Sequence, residues 1–453
     1  MEHHKRTHFG TKVGVVMAAA GSAVGLGNIW KFPYEVGQNG GAAFLLIYIL
    51  CVVLLGMPVM LSEFLIGRRA RANVAGAFRK LSGGNRWVLM GLLGVVCAFF
   101  ILSFYFVVAG WGIEYIYQAV CNNFAGKTTD GLARFFADFS SSSFRPLLWD
   151  VVFILLTLYV VVAGVEKGIE RYSKILMPFL FLILILLCVR SVTMDNASAG
   201  LAFLFKPDFS KITPTVILSA LGQAFFSLSL GLGCMITYGS YIRSDNNLMR
   251  TVAQVSVLDT IVAVLSGVAI FPAVFALGIN PAQGPQLVFV TLPSVFTQMP
   301  GGYIFAILFF VLLSIAALTS TISILEIMVA FVSEEFHCSR KNAAIVTSLV
   351  IVISSALCSL SLGADTRLTL FGRTLFDWCD FLVSKILMPV GGFFIAIFVG
   401  WFCSKKDVRD ELSHGAVVSE WFVNAFLFLM RFVVPIAILL IFLNELGVFE
   451  LLS

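Results

Sequence analysis

Asp259 stands in an otherwise apolar stretch, directly after Val255-Ser256-Val257-Leu258. A carboxylate at membrane depth is expensive and reads as functional by default, with a structural hydrogen bond as the plainer alternative. Thr319-Ser320-Thr321 interrupts another apolar run. Its hydroxyls suit a hard cation, although back-bonding to helix carbonyls is their ordinary role. Two glycine-rich segments complete the set: Ala20-Gly21-Ser22-Ala23-Val24-Gly25-Leu26-Gly27-Asn28 and Ser227-Leu228-Ser229-Leu230-Gly231-Leu232-Gly233. Glycine weakens a helix by about 1 kcal/mol relative to alanine, so both segments suggest helices unwound at mid-membrane. Freed carbonyls there suit a small cation, and the positive end of a half-helix suits a carboxylate. Close packing through small residues is the alternative for either segment alone. Two such segments at matching places favour unwinding. Neither completes Gly-x-Gly-x-x-Gly or follows a strand, so phosphate binding is not indicated.

The elements that must position these residues follow from composition. The chain has 453 residues, 59% hydrophobic and only 12% charged. A soluble protein of this size needs about 25% charged residues, so much of this surface faces lipid. Long apolar runs require helices, since every backbone polar group in lipid must be satisfied internally. Barrel strands would alternate in shorter segments. No cleavable signal peptide is expected, because Glu2, His3, His4, Lys5 and Arg6 run directly into a full-length span. At about 20 residues per crossing, eleven spans are predicted: 13–35, 42–67, 88–118, 148–164, 170–190, 215–240, 250–277, 301–333, 342–361, 372–402 and 418–443. The cluster Arg68, Arg69, Arg71, Arg79, Lys80 and Arg86, with Lys167, Arg243, Arg340 and Lys405, marks one face. By the positive-inside rule that face is cytoplasmic, with the N-terminus inside and the C-terminus outside. The net charge of +5 reflects those loops rather than an anionic partner, and nucleic acid is not expected. No metal spacing and no disulfide pair is evident among the nine cysteines.

Five spans in each half form an odd number, so two copies in series lie in opposed orientations, as inverted repeats do. The expected organisation is a tail over 1–10, a first five-helix repeat over 11–192 and an extracellular connection over 193–214. A second repeat covers 215–402, and a loop with the eleventh span covers 403–453. Lys31 and Asp380 are placed to meet across a cavity mouth. Glu63, Glu114, Glu326, Lys385 and Arg431 lie near or within spans without an assignable partner, and the last two would snorkel.

Gly21-Ser22-Ala23-Val24-Gly25-Leu26-Gly27-Asn28-Ile29-Trp30-Lys31-Phe32-Pro33-Tyr34 resembles the first-helix signature of neurotransmitter:sodium symporters, especially the bacterial amino-acid carriers. The likeness continues through Asn39-Gly40-Gly41-Ala42-Ala43-Phe44, Gly222-Gln223-Ala224-Phe225-Phe226-Ser227, Thr237-Tyr238-Gly239-Ser240-Tyr241 and Ala317-Leu318-Thr319-Ser320-Thr321. It covers nearly the whole chain. The resemblance implies an all-α inverted-repeat fold with an amino acid and two sodium ions at mid-membrane. One sodium would take the carbonyl of Ala23, the side chains of Asn28, Ser227 and Asp259, and the substrate carboxylate. The other would take carbonyls of Gly21, Val24 and Ala316 with the hydroxyls of Thr319 and Ser320. The substrate carboxylate would meet Tyr105 and the backbone of Gly25, Leu26 and Gly27. The rest of the pocket would be Ile101, Phe226, Ser229, Leu232, Ser320 and Ile324.

Departures from the family pattern carry information. The outer gate has Lys31 rather than arginine opposite Asp380, which loses the bidentate fork. The inner gate resembles Arg6, Tyr241 and Glu334, with Phe9 where the family has tryptophan. Many relatives have twelve spans, and this sequence shows eleven. Many have asparagine where Asp259 stands, and some bacterial members place a carboxylate one turn on, at Ala263 here. Animal members use a bound chloride nearby, so Asp259 implies chloride-independent transport. Gly25 occupies the position where monoamine carriers have aspartate, so the substrate should bring its own carboxylate. Small and apolar lining residues favour a neutral hydrophobic or aromatic L-amino acid. An enzyme is not indicated, because His-Glu-x-x-His, Gly-x-Ser-x-Gly and Walker motifs are absent. A non-transporting receptor of the same fold would need the same residues, and a sodium channel fits paired gates poorly. No obligate protein partner is evident beyond the bilayer.

Overall fold

The computed structural model describes residues 7–278, 287–363, 368–413 and 417–445. Nine described helices are long and apolar enough to cross a bilayer. In chain order they are spans two (Ala42–Ala70), three (Val88–Val120), four (Arg145–Val162), five (Val165–Val192), seven (Leu248–Ala276), eight (Gly302–Glu335), nine (Arg340–Ser361), ten (Leu375–Phe402) and eleven (Glu420–Leu443). Two crossings are interrupted. Span one is Lys12–Ala23 followed by Gly27–Gln38, bent by 48°. Span six is Pro214–Ser227 followed by Cys234–Gly239. Nine predicted spans are thus met by single helices and the first by a bent pair, while two shorter helices occupy the predicted sixth.

Boundaries moved where local chemistry decides them. Span four begins at Arg145 rather than 148 because Pro146 sits in its first turn, where a missing N–H costs nothing. Span five begins five residues before 170, in a π-wound turn over Val165–Glu170. Connections read as loops contain short helices, among them Thr129–Ser140 and Lys405–Ser413, and a hairpin pairing Thr369 with Thr374. Cys358 and Cys379 sulfurs lie 3.6 Å apart as free thiols, a contact between spans nine and ten that sequence spacing did not suggest.

The packing repeats with the halves exchanged. Span two packs along the second part of span six, and span seven along span one. Span three packs on nine and eight on four, while five lies on one and ten on six. Spans three and eight, the longest helices, pack against each other through the middle. That exchange is consistent with two five-helix units, and it sets the two broken helices side by side.

The two breaks use different backbone devices. Span one opens at Val24, which is extended (φ −73°, ψ 97°). Span six opens through left-handed residues: Ser229 (φ 53°), Gly231 (φ 84°) and Gly233 (φ 82°). Glycine is nearly free of penalty there, whereas Ser229 is strained. Gly231 also has no room for a side chain, because a Cβ would lie 2.2 Å from the Met388 carbonyl oxygen of span ten. Gly391 makes the reciprocal approach, its added Cβ falling 1.9 Å from the Gly231 carbonyl.

Glu63 of span two satisfies the amides freed at the second break. Its carboxylate, fully buried, accepts from Gly231 N (2.8 Å) and Met235 N (3.2 Å). It thus caps the start of the Cys234–Gly239 segment, where the first amides of a helix lack intrahelical partners. Replacing Glu63 with alanine strands both amides, each costing about 1–3 kcal/mol. A marked fall in the thermal midpoint of purified Glu63→Ala is expected, with a smaller fall for Glu63→Gln. Equal midpoints for wild type and Glu63→Ala would refute this assignment.

Candidate functional site

The Asp259 carboxylate is fully buried where spans one, two, six and seven meet. One oxygen accepts from Asn28 Nδ2 at 2.8 Å. The other accepts from Ser227 Oγ at 2.7 Å and from Tyr48 OH at 3.2 Å. Asn28 Nδ2 also reaches Ser227 Oγ and the Asp259 carbonyl, both at 3.1 Å. Among the described residues no cationic side chain pairs with Asp259. Tyr48 was not foreseen as a member of this cluster. Its signal in the sequence is a lone hydroxyl between Ile47 and Ile49 at membrane depth.

A second set of oxygens forms where span eight crosses the first break. Thr319 Oγ1 donates toward the carbonyls of Ala316 (3.0 Å) and Val24 (3.4 Å). Gly21 fits against Thr319, where an added Cβ would lie 3.2 Å from the threonine Cβ. Ser320 Oγ donates to the Ser22 carbonyl at 3.3 Å, and Ser229 Oγ donates to the same oxygen at 3.0 Å. Gly21, Val24, Ala316, Thr319 and Ser320 are thereby brought together. Ser22 is the unforeseen brace, its hydroxyl also meeting Cys234 Sγ at 3.0 Å.

A small cavity of about 30 Å³ lies between these two oxygen clusters. Ala23, Gly25 and Gly27 line it with Ile101, Tyr105, Phe226, Ser229, Leu232, Ser320 and Ile324. Leu26 joins through its backbone N, which donates to Tyr105 OH at 2.9 Å. Met388 lines the cavity too, and only the neighbouring Pro389 and Gly391-Gly392 hinted at a close approach there. A Cβ on Gly25 would lie 2.3 Å from Ser320 Oγ and 2.8 Å from Tyr105 OH. One end of the cavity therefore carries exposed backbone and a phenol, and the rest is mainly apolar.

The residues expected at the gates are distributed less simply. Lys31 and Asp380 are not paired. Lys31 Nζ sits 4.1 Å from the Phe226 ring centroid, and Asp380 accepts from Ser384 Oγ at 3.0 Å. At the opposite end, Tyr241 OH donates to Glu326 (2.6 Å), which is bridged by Arg340. Arg340 also donates to the Val161 carbonyl at 3.0 Å. Phe9 packs edge-on against Tyr238 and Tyr241. Glu334 accepts from Asn73 N at 2.8 Å. Arg6 lies outside the described residues. The other unassigned charges also find partners. Glu114 takes Arg145 and Trp149, and Arg431 Nε donates to the Gly400 carbonyl at 2.5 Å.

The chain matches the model of the Sodium:neurotransmitter symporter family over residues 6–132 and 138–452. It is 43% identical to the uncharacterized sodium-dependent transporter YhdH of Bacillus subtilis (strain 168), over 99% of each chain. It is 38% identical to an uncharacterized sodium-dependent transporter of Haemophilus influenzae, over 98% of each. The crystal structure of MhsT in complex with L-phenylalanine superposes with a TM-score of 0.89 at 45% identity, covering 97% of this chain and 100% of that one.

The close approach at Gly25 is testable by itself. Gly25→Ala should lower the thermal midpoint, because Ser320 Oγ and Tyr105 OH must both give way. Ser320→Ala removes the nearer obstacle, so the double variant should recover part of the loss. A double-mutant cycle with no coupling between the two sites would show that the predicted contact is not made.

Proposed function

The chain belongs to the sodium:neurotransmitter symporter family, whose members are transporters and not enzymes, and we propose that it carries a neutral hydrophobic or aromatic L-amino acid with sodium by alternating access, without chloride. The observation that carries this reading is the Asp259 carboxylate, buried among Asn28, Ser227 and Tyr48 with, among the described residues, no cationic side chain paired to it. An ionised carboxylate in that setting needs a compensating positive charge. A sodium ion supplies it as cargo, and Asp259 in turn supplies the negative charge that would otherwise call for an anion.

Two sodium positions fit the side chains. The first takes Asp259, Ser227, the Ala23 carbonyl and Asn28, whose amide presents nitrogen to Asp259 and would present oxygen after a half-turn of its last torsion. The second takes the carbonyls of Gly21, Val24 and Ala316 with Thr319 and Ser320. These are oxygen-only shells, the kind a hard cation prefers. An amino-acid carboxylate would lie against Tyr105 OH and the backbone at Gly25, Leu26 and Gly27, close enough to complete the first shell. Gly25 leaves no space for an acidic side chain, so an amine lacking its own carboxylate would have no anionic partner there. Ile101, Phe226, Leu232, Ile324 and Met388 offer apolar walls to the cargo's side chain. The bound L-phenylalanine of the MhsT structure is consistent with that choice.

The membrane is the cytoplasmic one, with the N-terminal tail inside, on the positive-inside argument. Residues 11–192 and 215–402 act as the two repeats that rock about the site. Reconstituted into proteoliposomes, the protein should accumulate labelled L-phenylalanine under an inward sodium gradient. Uptake should stop when choline replaces sodium and stay unchanged when gluconate replaces chloride. Asp259→Asn should weaken sodium activation about tenfold or more, the loss expected of a charged hydrogen-bonded ligand. Chloride-stimulated uptake by the wild type would overturn the chloride claim, and sodium-independent uptake would overturn the coupling.

A further inference from the structure

Two hollows adjoin on the exposed side of span seven and share Val257. The first, of about 590 Å³, lies between the start of span one and the start of span seven. Its polar lining includes Lys12, Asp245, Arg250 and Gln254, and its apolar lining includes Val13, Met17 and Leu258. The second, of about 320 Å³, continues between spans two and seven past Val53, Ile261 and Val264. Its lining is apolar but for the hydroxyls of Ser256 and Thr260. Val13, Val53, Val257 and Ile261 are all exposed, so the combined groove opens toward lipid. Both hollows follow span seven, from Arg250 in the first to Leu265 in the second. At 1.5 Å per residue that stretch rises about 22 Å. The hydrocarbon of one leaflet is about 15 Å deep, so the groove has room for a lipid from headgroup to chain end. Lys12 and Arg250 are exposed, and neither forms an ion pair among the described residues. The carboxylate beside them, Asp245, is answered by Arg243 at 3.5 Å.

We infer that this groove is a site for one anionic phospholipid, its phosphate met by Lys12 and Arg250 and an acyl chain lying along Val257 and Ile261 toward Val53. Any acyl chain fits an apolar slot, so the charges select among lipids. A zwitterionic headgroup brings its own cation, whereas phosphatidylglycerol leaves its phosphate to the protein. Basic pockets between spans on the cytoplasmic side suit such headgroups. A free phosphate ester would meet the same two cations and leave the slot unused, and the slot is what favours a lipid. Leu258 lines the groove and the next residue is Asp259. The lipid therefore seats against the helix that carries the candidate cation site, and it bridges that helix to the start of span one. The leaflet is the cytoplasmic one on the orientation proposed above.

Native mass spectrometry of the purified full chain, delipidated in detergent and titrated with lipid, tests this. No sodium or amino acid is added, so the outcome is independent of the transport reading. The first equivalent of phosphatidylglycerol should bind about tenfold or more tighter than phosphatidylcholine with the same chains, as expected of two near-surface cations. Lys12→Gln and Arg250→Gln should each weaken that equivalent about fivefold, the share of one such cation. Lys341→Gln removes an exposed cation at the start of span nine, outside the groove, and should change nothing. Val257→Trp fills the slot and should weaken both lipids alike. Glycerol phosphate at the same concentration should not displace phosphatidylglycerol. Equal affinity for the two lipids in the wild type would overturn the inference, and that comparison needs no variant to fold. Equal losses from Arg250→Gln and Lys341→Gln would overturn it too, as would phosphatidylglycerol binding untouched by Val257→Trp. Displacement by glycerol phosphate would overturn the lipid and assign the cations to a free phosphate ester.

Discussion

Every backbone N–H and C=O freed inside a bilayer must find a partner within the protein, and this one constraint organises the centre of the molecule. Two helices are unwound there, and the groups they release are met by side chains from neighbouring spans. Glu63 takes the amides of Gly231 and Met235. Gln223 donates to the Gly27 carbonyl, and Tyr105 accepts from Leu26 N. Ser229 and Ser320 converge on the Ser22 carbonyl. The surrounding packing is subordinate to these bonds. Glycines at 231 and 391 exist because span ten must approach the second break backbone to backbone.

The same bonds tie the two halves of the molecule to one another. The Asp259 cluster draws on spans one, two, six and seven, and the Thr319 cluster joins span eight to span one. On the proposed reading, a cation bound in either cluster stabilises the arrangement that the cargo also needs. Linkage then requires each to raise the affinity of the other by the same factor. Such coupling needs no long pathway, because the ligand sets are contiguous. Ser320 touches both the central cavity and the second cluster, and Gly25 donates its backbone N to Asn28 Oδ1 of the first at 3.3 Å.

What could be read from the sequence divides along physical lines. Span count and the two breaks were legible, because hydropathy and glycine clustering are local properties. Asp259, Asn28, Thr319 and Ser320 were legible as polar groups that an apolar environment must explain, and the family resemblance supplied the roles proposed for them. Partners distant in the chain were not legible. Glu63 with Gly231, Glu326 with Arg340, and Glu114 with Arg145 are defined by packing, and nothing in their local sequence names the other member. Tyr48 escaped for a different reason: a tyrosine in an apolar helix is ordinarily an interfacial or core residue. The expectation that Lys31 would sit opposite Asp380 treated the gate as a pair. In the structure the two stand apart, Lys31 over the Phe226 ring and Asp380 on Ser384 Oγ.

The two ends of the molecule are held by different sets of interactions. At the end carrying the N-terminal tail, Glu170 accepts from Gly10 N (2.6 Å) and Thr11 Oγ1 (2.7 Å), anchoring the start of span one. Arg340 clamps Glu326, which holds Tyr241, against which Phe9 packs. Arg68, almost fully buried, joins Glu411 and the Asn246 carbonyl. These are charge-assisted bonds of low exposure, individually worth more than surface pairs. At the opposite end the buried Glu114 takes Arg145 and Trp149 in the same way, whereas among the described residues Lys31 meets an aromatic face and Asp380 a hydroxyl. On the proposed reading, releasing cargo at the tail end would require breaking these charge-assisted bonds, and the free energy for it would come from what the central clusters gain when cation and cargo bind together.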